Sequence, residues 1–191
     1  IQGSPIGDVR NRYLHRYKKQ GSRSERKLVS VEDMRMFLNS IMDTRDKALC
    51  TLLAKTGRGR KEISLIDLGD IDWAAVSIML KPTRKRTNRL VYFDAETARV
   101  LQRWLQRRDD IAAPNEQALF VGYTQGRRLK RSGIYNAFTY WAAEVDLHDP
   151  DSKRMEDHFT PHCCRHWFTT MLFRAGMQRE HVKELRGDAR S

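Results

Sequence analysis

The stretch Thr160-Pro-His162-Cys-Cys-Arg165-His166-Trp-Phe-Thr-Thr combines residue types and spacing that could do chemistry. Positions 162, 165 and 166 stand at i, i+3 and i+4. A helix would therefore set His162, Arg165 and His166 on one face, and Pro161 predicts that this helix starts there. A histidine and an arginine near a helix N-terminus suit a phosphate: backbone N–H groups and the dipole favour an anion, arginine forks onto two oxygens, and histidine can carry a proton. With His158, Cys163 and Cys164, the same stretch also crowds possible zinc ligands. Adjacent cysteines on a helix point in different directions and no Cys-x-x-Cys partner occurs elsewhere, so no metal site is expected. Cys163 and Cys164 are expected to serve packing, one of them facing inward beside Phe168.

Cations form two further clusters. Lys81-Pro-Thr-Arg84-Lys85-Arg86-Thr-Asn-Arg89 holds five with no acid, and Arg127, Arg128, Lys130 and Arg131 follow later. Over 191 residues, 36 Lys and Arg against 24 Asp and Glu leave a net charge of +12. Such an excess points to a polyanionic partner, because each cation set on a phosphate releases condensed counterions. A generally basic, solvated surface is the bland alternative. The clustering in turns between apolar segments argues against it, although RNA or an acidic membrane would also fit the charge alone.

These residues need a scaffold, and periodicity outlines it. Ser30 and Asp33 have the spacing of a capping box, and Met34, Phe37, Leu38, Ile41 and Met42 follow as one apolar stripe. A second helix is predicted over 44–55, with Ala48, Leu49, Leu52 and Leu53 inward and Gly57 and Gly59 beyond it. A short third helix is expected over 61–66. Residues 71–73, 76–80 and 89–93 read as three short strands, the last two joined by the first basic turn. Helices are predicted over 95–108, 132–145, 161–175 and 179–185, with a brief extended piece at Leu119-Phe-Val121.

At 40% apolar and 31% charged, the composition is that of a soluble globular domain. No apolar run approaches the roughly 18 residues of a membrane span. Three cysteines, Cys50, Cys163 and Cys164, make a poor disulfide framework and favour a reducing cytoplasm. Residues 1–27 carry eight Lys and Arg against two acids, with little apolar periodicity, and read as a basic arm or interdomain linker with a helical stretch near Tyr13 and Tyr17. The first residue, Ile1, suggests a longer parent.

Taken together, these segments resemble the tyrosine recombinases, the phage-integrase family. That family carries a His-x-x-Arg-His helix, then a glycine, then a Leu-x-Gly element; here Gly176 and Leu185-Arg-Gly187-Asp188 follow His162-x-x-Arg165-His166. Residues 28–34, 45–48, 52–57 and 61–72 are similar to its opening helices and the entry to its sheet. The resemblance covers about residues 28–191, and the run at 161–170 is most similar to archaeal integrases.

The resemblance implies an α+β, mainly α, DNA breaking-rejoining fold with a small three-stranded antiparallel sheet over residues 28–191. It implies strand exchange at specific duplex sites: a tyrosine hydroxyl attacks a phosphodiester, leaving a 3′-phosphotyrosyl link, and a 5′-hydroxyl of the partner strand reverses the step. Such chemistry needs cations on the non-bridging oxygens, an acid for the leaving oxygen and in-line positioning. By resemblance Arg165 is the second phosphate-clamping arginine and His162 a phosphate ligand and proton-transfer group. The general acid is Lys85, or alternatively Lys81. Arg84, Arg86, Arg89, Arg127, Arg128, Lys130, Arg131 and His166 would contact DNA. No metal or nucleotide cofactor is implied, the parent would act as a tetramer on DNA, and the fragment alone would be monomeric.

Three positions depart from the family pattern. Gly59 stands where the first arginine is expected, with Arg58 and Arg60 either side of it as candidate substitutes. Asp188 stands where His or Trp is usual, exchanging a donor for an acceptor. All six tyrosines precede His162, whereas the family's nucleophile lies beyond the position of Gly187, so the chain alone is not expected to cleave DNA. The rival readings are a non-catalytic duplex-binding protein with the same fold, an RNA-binding module and a zinc-dependent nuclease.

Overall fold

The computed structural model describes residues 27–82 and 88–187. The predicted arm, apart from Lys27, and the tip of the first basic turn lie outside the described residues.

Helix α1 (Val31–Ser40) starts as its sequence dictates. The Ser30 hydroxyl accepts from the Asp33 amide at 2.9 Å and the Asp33 carboxylate accepts from the Ser30 amide at 3.3 Å, so two orphan donors are satisfied reciprocally. Met34, Phe37 and Leu38 point inward. The helix ends at Ser40, so Met42, expected on the same stripe, falls beyond it and is 83% exposed.

Helix α2 (Thr44–Thr56) is the hub. It buries Leu49 and Leu53 and also Cys50, Thr51 and Ala54, more than one face, because several elements pack around it. It terminates at Gly57 in the left-handed region (φ 61°), whose amide donates back to the Leu53 carbonyl. A side chain at 57 would also strike the Phe168 ring, with 2.6 Å between its Cβ and the nearest ring carbon. The short helix α3 spans Arg60–Ser64, earlier at both ends than predicted.

A 3₁₀ turn (Leu68–Asp70) leads into the sheet, β1 (Ile71–Asp72), β2 (Ser77–Met79) and β3 (Leu90–Tyr92), antiparallel in the order β1-β2-β3. Ile78 pairs with Val91, both facing the core, while Met79 and Tyr92 face outward. Helix α4 (Ala95–Arg108), capped by Asp94, buries Leu101 and Trp104. The run Leu119-Phe-Val121 is buried but forms no strand. Its backbone pairs only at isolated bridges, with the Leu119 amide donating to the Ile66 carbonyl (2.9 Å) and the Leu129 amide to the Phe120 carbonyl (2.8 Å), while the Trp104 indole donates to the Leu119 carbonyl (2.8 Å) and the Arg108 guanidinium to the Ala118 carbonyl (2.8 Å).

Helices α5 (Arg131–Ala143), α6 (Pro161–Arg174) and α7 (Arg179–Arg186) complete the domain. Phe37, Phe138 and Phe159 meet at 4.8–5.4 Å between ring centroids, joining α1, α5 and the entry to α6. Both Cys163 and Cys164 are buried, rather than one of them, because Cys163 caps its own helix: its Sγ accepts from the Thr160 amide and donates to the His158 carbonyl, both at 3.4 Å. Among the described residues no helix is long and apolar enough to cross a membrane. The fold is mainly helical with a three-stranded antiparallel sheet.

Candidate active site and nucleic-acid interface

The left-handed turn at Gly57 throws the chain from α2 directly beneath the start of α6. Arg58 follows it inward and is only 2% exposed. Its Nη1 donates to the Asn88 and Arg186 carbonyls at 3.3 Å each, its Nη2 donates to the Leu185 carbonyl at 3.1 Å, and Glu62 lies 3.6 Å away. From α6, Arg165 reaches the same place. It is 8% exposed, and it donates to the Gly57 carbonyl at 3.2 Å and to the Arg186 carbonyl at 3.3 Å. Two guanidinium groups thus share one carbonyl at the C-terminus of α7, where a helix leaves its last carbonyls unpaired and its dipole favours cations. A cleft of about 340 Å³ opens there, lined by Arg58, Gly59, Arg60, Thr160, Pro161, His162 and Arg165.

Arg58 and Arg60, which the sequence left as equals, part company. Gly59 turns the chain between them, and its amide donates to Glu62 at 2.9 Å to start α3. Arg60 is therefore at the exposed rim, its guanidinium 5.1 Å above the Tyr135 ring. Gly187 closes the other side at φ 66°, where a Cβ would lie 2.5 Å from Arg58 Nη1 and 2.6 Å from the Asn88 carbonyl oxygen. Asp188 lies outside the described residues.

The face expected to unite His162, Arg165 and His166 divides. Arg165 turns into the interior, while both histidines are exposed, with their Nε2 atoms 3.2 Å apart and their rings edge to face at 4.8 Å. His162 lines the cleft; His166 is not among its walls.

The basic clusters are also sorted. Lys81 is tied to Asp70 at 2.7 Å and Asp67 at 3.0 Å; the hydrogen bonds it donates to Asp70 and then to Asp67 raise its pKa, so it holds its proton more firmly than an ordinary lysine. Arg84, Lys85 and Arg86 lie outside the described residues, and Arg89 is exposed. A wider groove of about 780 Å³ adjoins the cleft through Arg60 and runs past Ser64, Arg128, Leu129, Lys130, Arg131 and Ser132. Lys130 and Arg131 are exposed at the start of α5, and Arg127 is exposed nearby. There, unpaired amides and the dipole add to the attraction for an anion. Arg128 differs from its neighbours. It is half-buried, pairs with Asp67 and donates to the Ser64 carbonyl at 2.9 Å, so it fastens the groove's floor.

Sequence reasoning missed Asp67, which bridges Lys81 and Arg128. Desolvation pushes its carboxyl up, but hydrogen bonds from Arg128 and Lys81 outweigh this and hold it below the ordinary value. An acid shared between two basic turns has no local periodic signal. Glu62 was legible in principle, since it stands four residues after Arg58 at the spacing of a helical ion pair. Among the described residues no group of three or more His, Cys, Asp or Glu side chains could hold a metal ion.

Comparison with known proteins places this geometry among relatives. Residues 28–190 match the family described as Phage integrase family. The tyrosine recombinase XerC of Pelotomaculum thermopropionicum is 32% identical over 152 residues, covering 76% of this chain and 46% of that protein. The chain spans 44–46% of the length of such curated relatives. Among solved structures, XerA recombinase is similar with a TM-score of 0.74 at 22% identity, over 85% of this chain and 56% of that one. XerH recombinase, solved bound to a palindromic difH substrate in a post-cleavage complex, gives a TM-score of 0.69 at 21% identity over 86% of this chain and 47% of that one.

Proposed function

This chain belongs to the phage integrase family, and from that premise we propose that it is the duplex-gripping catalytic part of a tyrosine-type site-specific recombinase. The observation that carries the reading is the pair of buried guanidiniums, Arg58 and Arg165, at one end of a cleft that His162 also lines. On this reading both arginines turn donors to the scissile phosphate, and Arg58 supplies the group missing at Gly59. His162 binds the phosphate and passes a proton. Because Asp67 and Asp70 hold Lys81, Lys85 is the general acid for the leaving 5′-oxygen. The groove with Arg60, Lys130 and Arg131 carries the neighbouring backbone phosphates.

Residues 28–191 form the catalytic unit on this reading, 1–27 a linker, and the working assembly is a tetramer on DNA with no cofactor. The affinity to archaeal integrases rests on the 161–170 run alone; the curated XerC relatives are mostly bacterial. All six tyrosines of the sequence precede His162, so on this reading none of them is the nucleophile. A second reading, duplex binding without catalysis, is favoured by Gly59 and by the engagement of Arg58 with three backbone carbonyls.

A nicked duplex, which traps a phosphotyrosyl adduct, tests both. The chain alone is expected to bind duplex without an adduct. Joined to a tyrosine-bearing C-terminal segment, it is expected to form one that Arg165→Ala abolishes. Binding without adduct in the joined protein would select the second reading, and failure to bind duplex would overturn both.

A further inference from the structure

We infer that His162 and His166 form a chelating site for a borderline divalent ion, Zn²⁺, Cu²⁺ or Ni²⁺, on the outer face of α6. The two residues are one helical turn apart and exposed, and their Nε2 atoms face each other at 3.2 Å. Metal–imidazole bonds are about 2.0–2.1 Å, so nitrogens this far apart subtend roughly 100° at an ion between them, close to the tetrahedral angle. The ion takes the place of the proton in the ring-to-ring hydrogen bond. Both rings stand on one helix, so the second metal bond forms intramolecularly and little orientation is lost in making it.

The donor set also bounds the site. Among the described residues no third His, Cys, Asp or Glu side chain completes a metal-holding group, so among them the donor set is these two imidazoles. Two imidazoles favour Cu²⁺ over Ni²⁺ and Zn²⁺ and discriminate against Mg²⁺ and Ca²⁺, which prefer oxygen. The site is thus one for an incoming ion. His162 also lines the cleft, so a bound ion occupies the nitrogen that the recombinase reading gives to a phosphate, and strand cleavage becomes zinc-sensitive. That consequence rests on the proposed function; the chelation does not.

Titration of the 191-residue chain with Cu²⁺ and Zn²⁺, read by calorimetry and by the electron paramagnetic resonance of the copper form, tests the site. Two equatorial imidazole nitrogens are expected. His162→Ala and His166→Ala should each weaken binding by about tenfold or more, with unchanged thermal unfolding, while His158→Gln and His181→Ala leave it unaltered. Retention of wild-type affinity by either of the first two variants would overturn the site. In the tyrosine-bearing protein, adduct formation should be inhibited by Zn²⁺, restored by a chelator and less sensitive in His166→Ala. Zinc-insensitive cleavage with intact chelation would overturn the regulatory consequence. Absence of any adduct at all would count against the proposed function and leave the chelation standing.

Discussion

The cleft and the groove beside it are both cationic, yet they hold their charges in opposite ways. In the cleft, Arg58 and Arg165 are 2% and 8% exposed and spend donors on the carbonyls of Gly57, Leu185 and Arg186. In the groove, Arg60, Lys130 and Arg131 stand in water on a helix start and a ring face. Burial converts a cation into part of the fold, with a fixed direction and a cost when it is removed. Exposure leaves a charge that attracts at a distance and orients little. A protein that must seize a polyanion and then align one phosphate has reason to keep both kinds.

Mutations can break this contrast. Arg58→Ala should be the most damaging, because it strips three carbonyls of a donor and leaves Glu62 buried; about 3–5 kcal/mol of stability is expected to go, measured by urea unfolding. Arg165→Ala removes two charged hydrogen bonds and should cost about 1–3 kcal/mol in the same assay. If either variant were as stable as the parent, the cleft would be no different from the groove. Lys130→Ala with Arg131→Ala should change stability by no more than about 0.5 kcal/mol. Its effect should appear in duplex affinity instead, reducing the slope of log K against log salt by about 0.9 for each phosphate that is no longer neutralised.

Asp67 sharpens the comparison from the side of the fold. Its folded pKa is depressed below the ordinary 3.8, so its contribution to stability is present above that value and is lost as pH falls through the folded one. Asp67→Asn should therefore flatten the acid limb of the stability profile below about pH 4, the smallest of these effects, followed by thermal unfolding across pH.

Much of this architecture was legible because local chemistry decides it. Ser30 and Asp33 announce a capping box, Asp94 caps the helix whose predicted bounds agree with those observed, and the strands on either side of the first basic turn pair as their alternation requires. Met42 reads as part of the first helix's apolar stripe, but that helix ends at Ser40 and leaves it exposed. The other misses share a cause, which is that a distant partner decides the outcome. Arg58 and Arg60 are indistinguishable until the end of α7, 127 residues along the chain from Arg58, selects which is buried. The 162–166 face reads as a single surface, but the packing of α6 against α2 draws Arg165 out of it.

Gly187 carries a consequence for mutational tolerance. Its backbone curls left-handed, and the space a methyl group would fill is held by Arg58 Nη1 and the Asn88 carbonyl. Even a residue that accepts that curl, such as asparagine, would have to push the guanidinium aside. A library randomised at this one codon and selected for function should thus return glycine nearly alone, reporting on the arginine pair without altering either arginine.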